Sequence, residues 1–301
     1  MHNRLLEFAF TTCLAIAAAA PAVAEEVKLE HAGLTLNANL ETAGDAWKDG
    51  TVVLLTHGTL AHNGMEIIAT LQGLLSDAGM SSLAPTLSLG LDDRHGMYDC
   101  ATPHTHRHTD ALDEIGIWLA WLKEQGVRKV LLAGHSRGGN QTAWFAAERP
   151  DPAVAGVLLI APTTWSEDYA VSDYAKRFDT ELAPVLERAQ KLVAAGQGDA
   201  WLEDTGFIYC PGTKVQAQAF VAYHAPEPRQ DTPSLLGKLA VPVLVIAGTA
   251  DEVVPDVAEK VEPLADGTRV RLETIDGADH FFRDLYADEI VEYTADFIDA
   301  L

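Results

Sequence analysis

Basic residues are scarce in this chain: 21 Lys and Arg stand against 44 Asp and Glu in 301 residues, giving a formal net charge of −23. A surface of that sign excludes nucleic acid as a partner, because phosphate binding needs clustered cations that release counterions. The acidic residues are spread along the chain and read as a solvated surface, the alternative being a field that disfavours anionic substrates near the site. Cysteine is nearly absent, with three residues, which excludes a disulfide scaffold and a cysteine-rich metal fold. No internal repeat is present, so solenoids and propellers are excluded. Long hydrophobic runs are also missing, since the run at 8–20 is too short for a usual membrane span. What remains is 48% apolar content in a length that fits one large domain, or a domain carrying an insertion.

The run at 8–20 has another reading. His2 and Arg4 precede it, and Pro21 and the small-residue sequence Ala22-Val23-Ala24 follow it. This order predicts a secretory leader, residues 1–24, cleaved after Ala24, and hence an exported protein, periplasmic or secreted, with no stable membrane anchor. Cys13 lies inside the run after Thr11 and Thr12 and lacks the aliphatic and small residues that precede a lipid-modified cysteine. Cleavage leaves Cys100 and Cys210. In an oxidising compartment these two either form a bridge or stay as separate buried thiols.

Hydrophobic periodicity organises the rest. Residues 27–30 and 34–40 alternate like two strands around Ala32-Gly33. Continuous apolar runs at 51–55, 81–84, 129–133, 154–160 and 241–247 suit strands buried on both faces, and 269–275 adds another. Helical patterns occupy 65–78, 140–148 and 284–298, and 110–125 places Leu112, Ile115, Leu119 and Leu122 on one face. Strands alternating with helices predict an α/β fold with a mostly parallel central sheet and helices on both faces. Residues 25–162 and 241–301 form this core. Residues 163–240 carry helical patterns without an evident strand and read as an inserted helical cap. Trp165, Tyr169, Tyr174, Phe178, Trp201, Phe207, Tyr209, Phe220 and Tyr223 fall within it. These rings either pack the cap onto the body or, in part, line an apolar pocket.

The chemistry is concentrated in Gly134-His135-Ser136-Arg137-Gly138, a G-x-S-x-G pentapeptide between a strand run and a helical run. At a sharp strand-to-helix turn the two glycines remove side chains that would collide, and the serine hydroxyl is lifted above the sheet edge. Ser136 is the candidate nucleophile and the Arg137 N–H a candidate oxyanion donor. A serine nucleophile needs an imidazole to take its proton and a carboxylate to orient that imidazole. Asp251 follows the strand run 241–247, and His280 follows 269–275, so both loops reach the same sheet edge as Ser136. Glu252 and Asp279 are neighbouring alternatives for the acid.

With Ser136, Asp251 and His280 in this order, the chain resembles the α/β-hydrolase superfamily from about residue 51 to its end, the cap apart. The resemblance implies hydrolysis through an acyl-enzyme without metal or organic cofactor. Similar proteins end the first core strand in a His-Gly pair, here His57-Gly58. Their second oxyanion N–H comes from just beyond that pair, which points to Thr59, or Leu60 after it; Thr59 follows directly. His57 and His135 read as loop-holding residues. A carboxylic ester is the leading substrate class. The alternatives are amide hydrolysis by a peptidase or aminopeptidase, with Glu167, Asp168 or Asp173 of the cap receiving an amine, and a non-catalytic binding protein on the same fold. Dehalogenating relatives carry aspartate at the elbow, where this chain has Ser136.

The segment 87–108 departs from the family pattern in its length and in Asp92, Asp93, His95, His104, His106 and His108. In an extended chain His104, His106 and His108 share one face, a geometry open to zinc. The same residues fit a hydrogen-bonded rim of the cleft. The Thr, Arg and Pro around them suit a plain exposed loop, which is the leading expectation.

Overall fold

The computed structural model describes residues 24–301, so the leader-like segment lies, Ala24 apart, outside the described residues. The chain opens with an antiparallel pair, β1 (Glu25–His31) and β2 (Leu34–Glu41), turned at Ala32 and Gly33, which both take positive φ. The core then alternates β3 (Thr51–Thr56), α1 (Glu66–Asp77), β4 (Ser82–Thr86), α2 (Asp110–Glu124), β5 (Lys129–His135), α3 (Arg137–Glu148) and β6 (Val154–Ile160). The insertion holds α4 (Glu167–Phe178), α5 (Leu182–Ala194), β7 (Trp201–Phe207), β8 (Cys210–Gln216) and α6 (Ala217–His224). A short α7 (Pro233–Leu236) leads back to β9 (Val243–Gly248), α8 (Val257–Val261), β10 (Val270–Ile275) and α9 (Tyr286–Asp299).

Eight strands form one sheet in the order β1-β2-β4-β3-β5-β6-β9-β10, and only β1 and β2 introduce antiparallel pairing. The apolar runs explain this arrangement. Leu131, Leu132, Val157, Leu159, Val245 and Ile246 are fully buried, as parallel strands covered on both faces require, and each such side chain contributes roughly 1.5–3 kcal/mol by leaving water. From β3 the chain steps outward to β4 and then crosses back to β5. Right-handed crossovers therefore place α1 and α2 on opposite faces of the sheet, where α1 packs with α9 and α2 with α3. The reversal between β3 and β5 opens a crevice at their C-terminal ends, the natural ligand position of an open parallel sheet.

The insertion differs from the expected all-helical cap, because β7 and β8 pair as an antiparallel hairpin. Register shifts between Leu202, Thr205 and Phe207 put two residues, not one, between the first two inward positions. This bulge breaks the period-2 alternation that would reveal a strand. The hairpin anchors a second apolar core of Leu60, Leu87, Tyr98, Tyr174, Phe207 and Phe220, among others. Of the cap rings, Tyr174, Phe207, Phe220 and Tyr223 are buried, whereas Tyr169 and Tyr209 are exposed.

The expectation of an exposed loop at 87–108 holds for residues such as His95, Met97 and Arg107 but is corrected for His104, His106 and His108, which are at most 2% exposed. His104 N–H donates to Lys214 O at 2.7 Å, and Gln216 N–H donates to His104 O at 2.9 Å, so His104 adds a one-residue third strand beside β8. The rings do not converge on a common point. His104 Nδ1 faces His106 Nε2 at 3.2 Å, His106 Nδ1 faces the Tyr223 hydroxyl at 2.9 Å, and His108 Nε2 meets Asn140 Oδ1 at 3.0 Å. Local composition gave no sign of burial because the partners come from β8, α6 and α3. Cys100 and Cys210 are disulfide-bonded, with Cα atoms 5.2 Å apart, and tie this loop to the hairpin.

Two measurable consequences follow from this second core. The bridge closes a loop with a sequence separation of 110 residues, which in the chain-entropy model stabilises the fold by about 5 kcal/mol. The C100A/C210A double variant should unfold at clearly lower denaturant than the wild type, and in the denatured wild type Cys100 and Cys210 should bind thiol reagents only after reduction; full labelling of these two without reductant would remove the bridge. The second consequence is acid lability. Burial, then neighbouring charges that include Arg94 and Arg137, depress His106 to about 3; burial and Arg137 do the same for His108, and burial depresses His104 to about 4. In the unfolded chain these rings titrate near ~6.5. Their stabilisation is therefore complete above that value and is lost as pH falls toward 4, by up to about 1.4 kcal/mol per pH unit and ring. The melting temperature should fall steeply from pH 7 to pH 4.5, and His106→Gln should flatten that slope; a pH-independent melting temperature in this window would contradict the burial.

Candidate active site

The strand-to-helix turn after β5 holds Ser136 at φ 57° and ψ −124°, a left-handed backbone that costs a non-glycine residue on the order of 1–3 kcal/mol. The flanking glycines are obligatory for packing. A Cβ on Gly134 would collide with the Gly138 carbonyl, and one on Gly138 would strike the carbonyl oxygens of His57 and Thr56. Ser136 N–H donates to Ile160 O at 2.9 Å, and Ser136 O accepts from Thr163 N–H at 3.1 Å, which fixes the turn against the end of β6. Helix α3 begins at Arg137, earlier than the pattern at 140–148 suggests, because Gly138 and Gly139 are poor helix formers that close packing requires here.

Two further loops at the same sheet edge complete the group. The loops after β9 and β10 are joined to each other: Thr249 N–H donates to Ile275 O at 3.0 Å, Ala250 N–H to Ala278 O at 3.0 Å, and Gly277 N–H to Thr249 Oγ1 at 2.8 Å. This joining sets Asp251 against His280, with Asp251 Oδ2 2.7 Å from His280 Nδ1. On the other side of the ring, His280 Nε2 lies 2.9 Å from Ser136 Oγ. All three residues are 5–6% exposed. Asp251 Oδ1 also accepts the N–H groups of Val253 at 2.7 Å and Val254 at 2.9 Å. Burial alone raises this carboxyl; the His280 bond and the two N–H donors outweigh it and hold Asp251 below the usual carboxylate range. A carboxylate there requires the proton on Nδ1, which leaves Nε2 as an acceptor for the serine hydroxyl.

The alternative acids stand apart from this line: Asp279 pairs with Arg283 at 2.8 Å, and Glu252 is exposed. His57 and His135 are buried supports. Leu87 N–H donates to His57 Nε2 at 3.0 Å, so His57 Nδ1 carries the proton and donates to Gly58 O at 2.8 Å. His135 Nε2 contacts His280 O at 2.8 Å, and burial depresses its ring to about 3, keeping it neutral. Thr59 lies beside the elbow, where its Oγ1 accepts from Arg137 Nε at 3.0 Å, while the next residue, Leu60, takes φ 56°.

Arg94 is a contributor that sequence reading passed over. Only 5% exposed, it donates to Leu87 O at 2.8 Å, Gly96 O at 2.7 Å and Ala61 O at 2.6 Å, pinning the loop that carries Thr59 and Leu60. A local signal for it is absent, since its acceptors are backbone carbonyls from two separate loops. A cleft of about 400 Å³ has Arg137 of the elbow, Thr163, Trp165, Tyr174, Tyr223 and Glu252 among its walls.

Among the described residues no helix is long and apolar enough to cross a membrane. No curated protein matches the chain in sequence. Solved structures match its shape: Est1E from Butyrivibrio proteoclasticus with ferulic acid bound has a TM-score of 0.64 at 18% identity, over 91% of this chain and 99% of that one. An E-2-(acetamidomethylene)succinate hydrolase reaches 0.58 at 19%, over 92% and 100%, and an esterase from Pyrococcus furiosus 0.60 at 15%, over 92% and 91%. At such identities the likeness concerns the fold alone. The sequence model of the alpha/beta hydrolase family matches residues 52–293, the span that carries the parallel sheet, the elbow and both partner loops, and the chain belongs to that family.

Proposed function

We propose that this hydrolase is a serine esterase that cleaves carboxylic esters through an acyl-enzyme. The observation that carries the reading is the unbroken line from Ser136 Oγ through His280 to Asp251, at 2.9 Å and 2.7 Å. His280 Nε2 removes the Oγ proton as Ser136 attacks the ester carbonyl, and Asp251 keeps Nδ1 protonated and stabilises the imidazolium. The carbonyl electrons move onto oxygen, to which the N–H groups of Arg137 and Thr59 donate hydrogen bonds. Collapse expels the alcohol, which takes the proton from His280. Water then repeats the cycle on the acyl-serine and releases the acid, returning Ser136 and His280 to their starting states. No metal or organic cofactor takes part in these steps.

The peptidase alternative needs a free carboxylate where a substrate amine would sit. Asp173 is already paired with Arg177 at 2.9 Å, and Glu167 and Asp168 are exposed in the first turn of α4. Of the cleft's carboxylates only Glu252 is unpaired, and it is outnumbered by Arg137 and Lys176, a balance that favours an ester over an amine-bearing peptide. A purely binding protein has no use for the strained Ser136 backbone. Export with cleavage after Ala24 belongs to the same proposal, and suits a protein whose second core holds a disulfide.

Ser136→Ala should lower turnover of short p-nitrophenyl esters on the order of 10⁴-fold or more and abolish labelling by a fluorophosphonate. Asp251→Asn should cost on the order of 10³- to 10⁴-fold through the wrong imidazole tautomer. Undiminished turnover in Ser136→Ala would reject the elbow as the nucleophile. For export, mass spectrometry of the protein recovered from the extracytoplasmic fraction should give an N-terminus at Glu25; a chain retained intact in the cytoplasm would reject the leader.

A further inference from the structure

The side chain of Arg137 is unaccounted for by ester cleavage, which uses only its N–H. Its guanidinium is half-buried at the wall of the cleft. Nε donates to Thr59 Oγ1 at 3.0 Å, Nη1 lies 3.3 Å from His108 Nδ1, and the carbon between them sits 5.2 Å from the centre of the Tyr223 ring. Each of these partners is neutral, since burial and then Arg137 itself hold His108 at about 3. Among the described residues no carboxylate pairs with Arg137, and Nη2 has no hydrogen-bond partner. A partly desolvated cation is ordinarily matched by an anion. Here the match is missing while the orientation is already fixed by two hydrogen bonds and an aromatic face.

The surroundings accentuate this. In a chain of net charge −23, the cleft wall also carries Lys176 and Arg177, against Asp173 and Glu252. Asp173 is satisfied by Arg177, which leaves Arg137 and Lys176 against Glu252 among the lining residues, so the lining is locally positive. The planar, permanently charged guanidinium suits a carboxylate, and pre-orientation lowers the entropy lost on contact.

We propose that Arg137 selects substrates bearing a carboxylate a few bonds from the scissile ester, half-esters of short dicarboxylic acids being the simplest members. This rests on the serine-esterase reading and narrows it. Because Arg137 adjoins Ser136, the anionic group is confined to the short reach of one arginine side chain.

The test compares kcat/KM for the p-nitrophenyl half-esters of succinate and glutarate with the neutral butyrate and valerate esters at ~0.15 M salt, where the long-range field of the acidic surface is screened beyond about 8 Å. The butyrate ester of glycolate, compared with neutral methyl butyrate, places the carboxylate on the alcohol side instead. The wild type should favour an anionic ester over its neutral counterpart at least ten-fold on one of the two sides. Arg137→Gln should lower that ratio at least ten-fold, and Arg137→Lys should retain part of it. A residue that merely positions the Thr59 loop would lower both members of each pair alike and leave the ratio intact, and that result overturns the proposal, as does a wild-type ratio of one or below on both sides. Should Arg137→Gln not fold, competitive inhibition of the wild type by glutarate, but not by glutaramide, decides in its place, and equal effects of the two overturn it. Absence of ester turnover and fluorophosphonate labelling in the wild type would instead reject the esterase reading itself.

Discussion

The backbone of α3 meets the end of β3 with no space between them, and the site depends on that contact. Gly138 lies so near the Thr56 and His57 carbonyls that one added carbon would push the helix away. Ser136 is held in its left-handed conformation by the same contact, because the turn must deliver α3 onto the sheet within two residues of β5. Thr59 is consequently close enough to hydrogen-bond the side chain that follows the serine. Strain at Ser136 is thus offset by packing at Gly134 and Gly138, which have no chemistry of their own.

The second organising element is the small core between insertion and body. It is built from parts that are individually unpromising: a bulged hairpin, a loop of histidines and a helix whose last turn carries Tyr223 and His224. Their mutual burial keeps the rings of 104, 106 and 108 neutral, and neutral rings are what allow Arg137 to stand beside them as the local charge. Packing in the insertion therefore sets the electrostatics of the cleft, although its only hydrogen bond to Ser136, His280 or Asp251 is the backbone one from Thr163 N–H to Ser136 O.

Strands buried on both faces are easily read, because their environment leaves an uninterrupted apolar run; β6 occupies the very residues 154–160 that the run marks. The elbow and the two partner loops are legible for a related reason. Ser136, Asp251 and His280 each follow such a run, and parallel strands deliver their C-terminal ends to one edge. The insertion resists the same reading. Its hairpin hides behind a bulge, and its histidine loop looks exposed until Asn140, Tyr223 and Lys214 arrive from distant elements. Arg94 escapes notice because a guanidinium capped by three carbonyls leaves no trace in sequence spacing. Periodicity records which faces are covered, whereas pairing between remote segments leaves no local mark.

The bond between Cys100 and Cys210 has a mechanical meaning. The insertion is tethered to the body where its chain enters and leaves, and the disulfide with the backbone pairing at His104 adds an attachment from a different direction. Movement of the insertion about its two chain crossings therefore has to carry the 87–108 loop with it, because the bridge and the shared apolar core join the two.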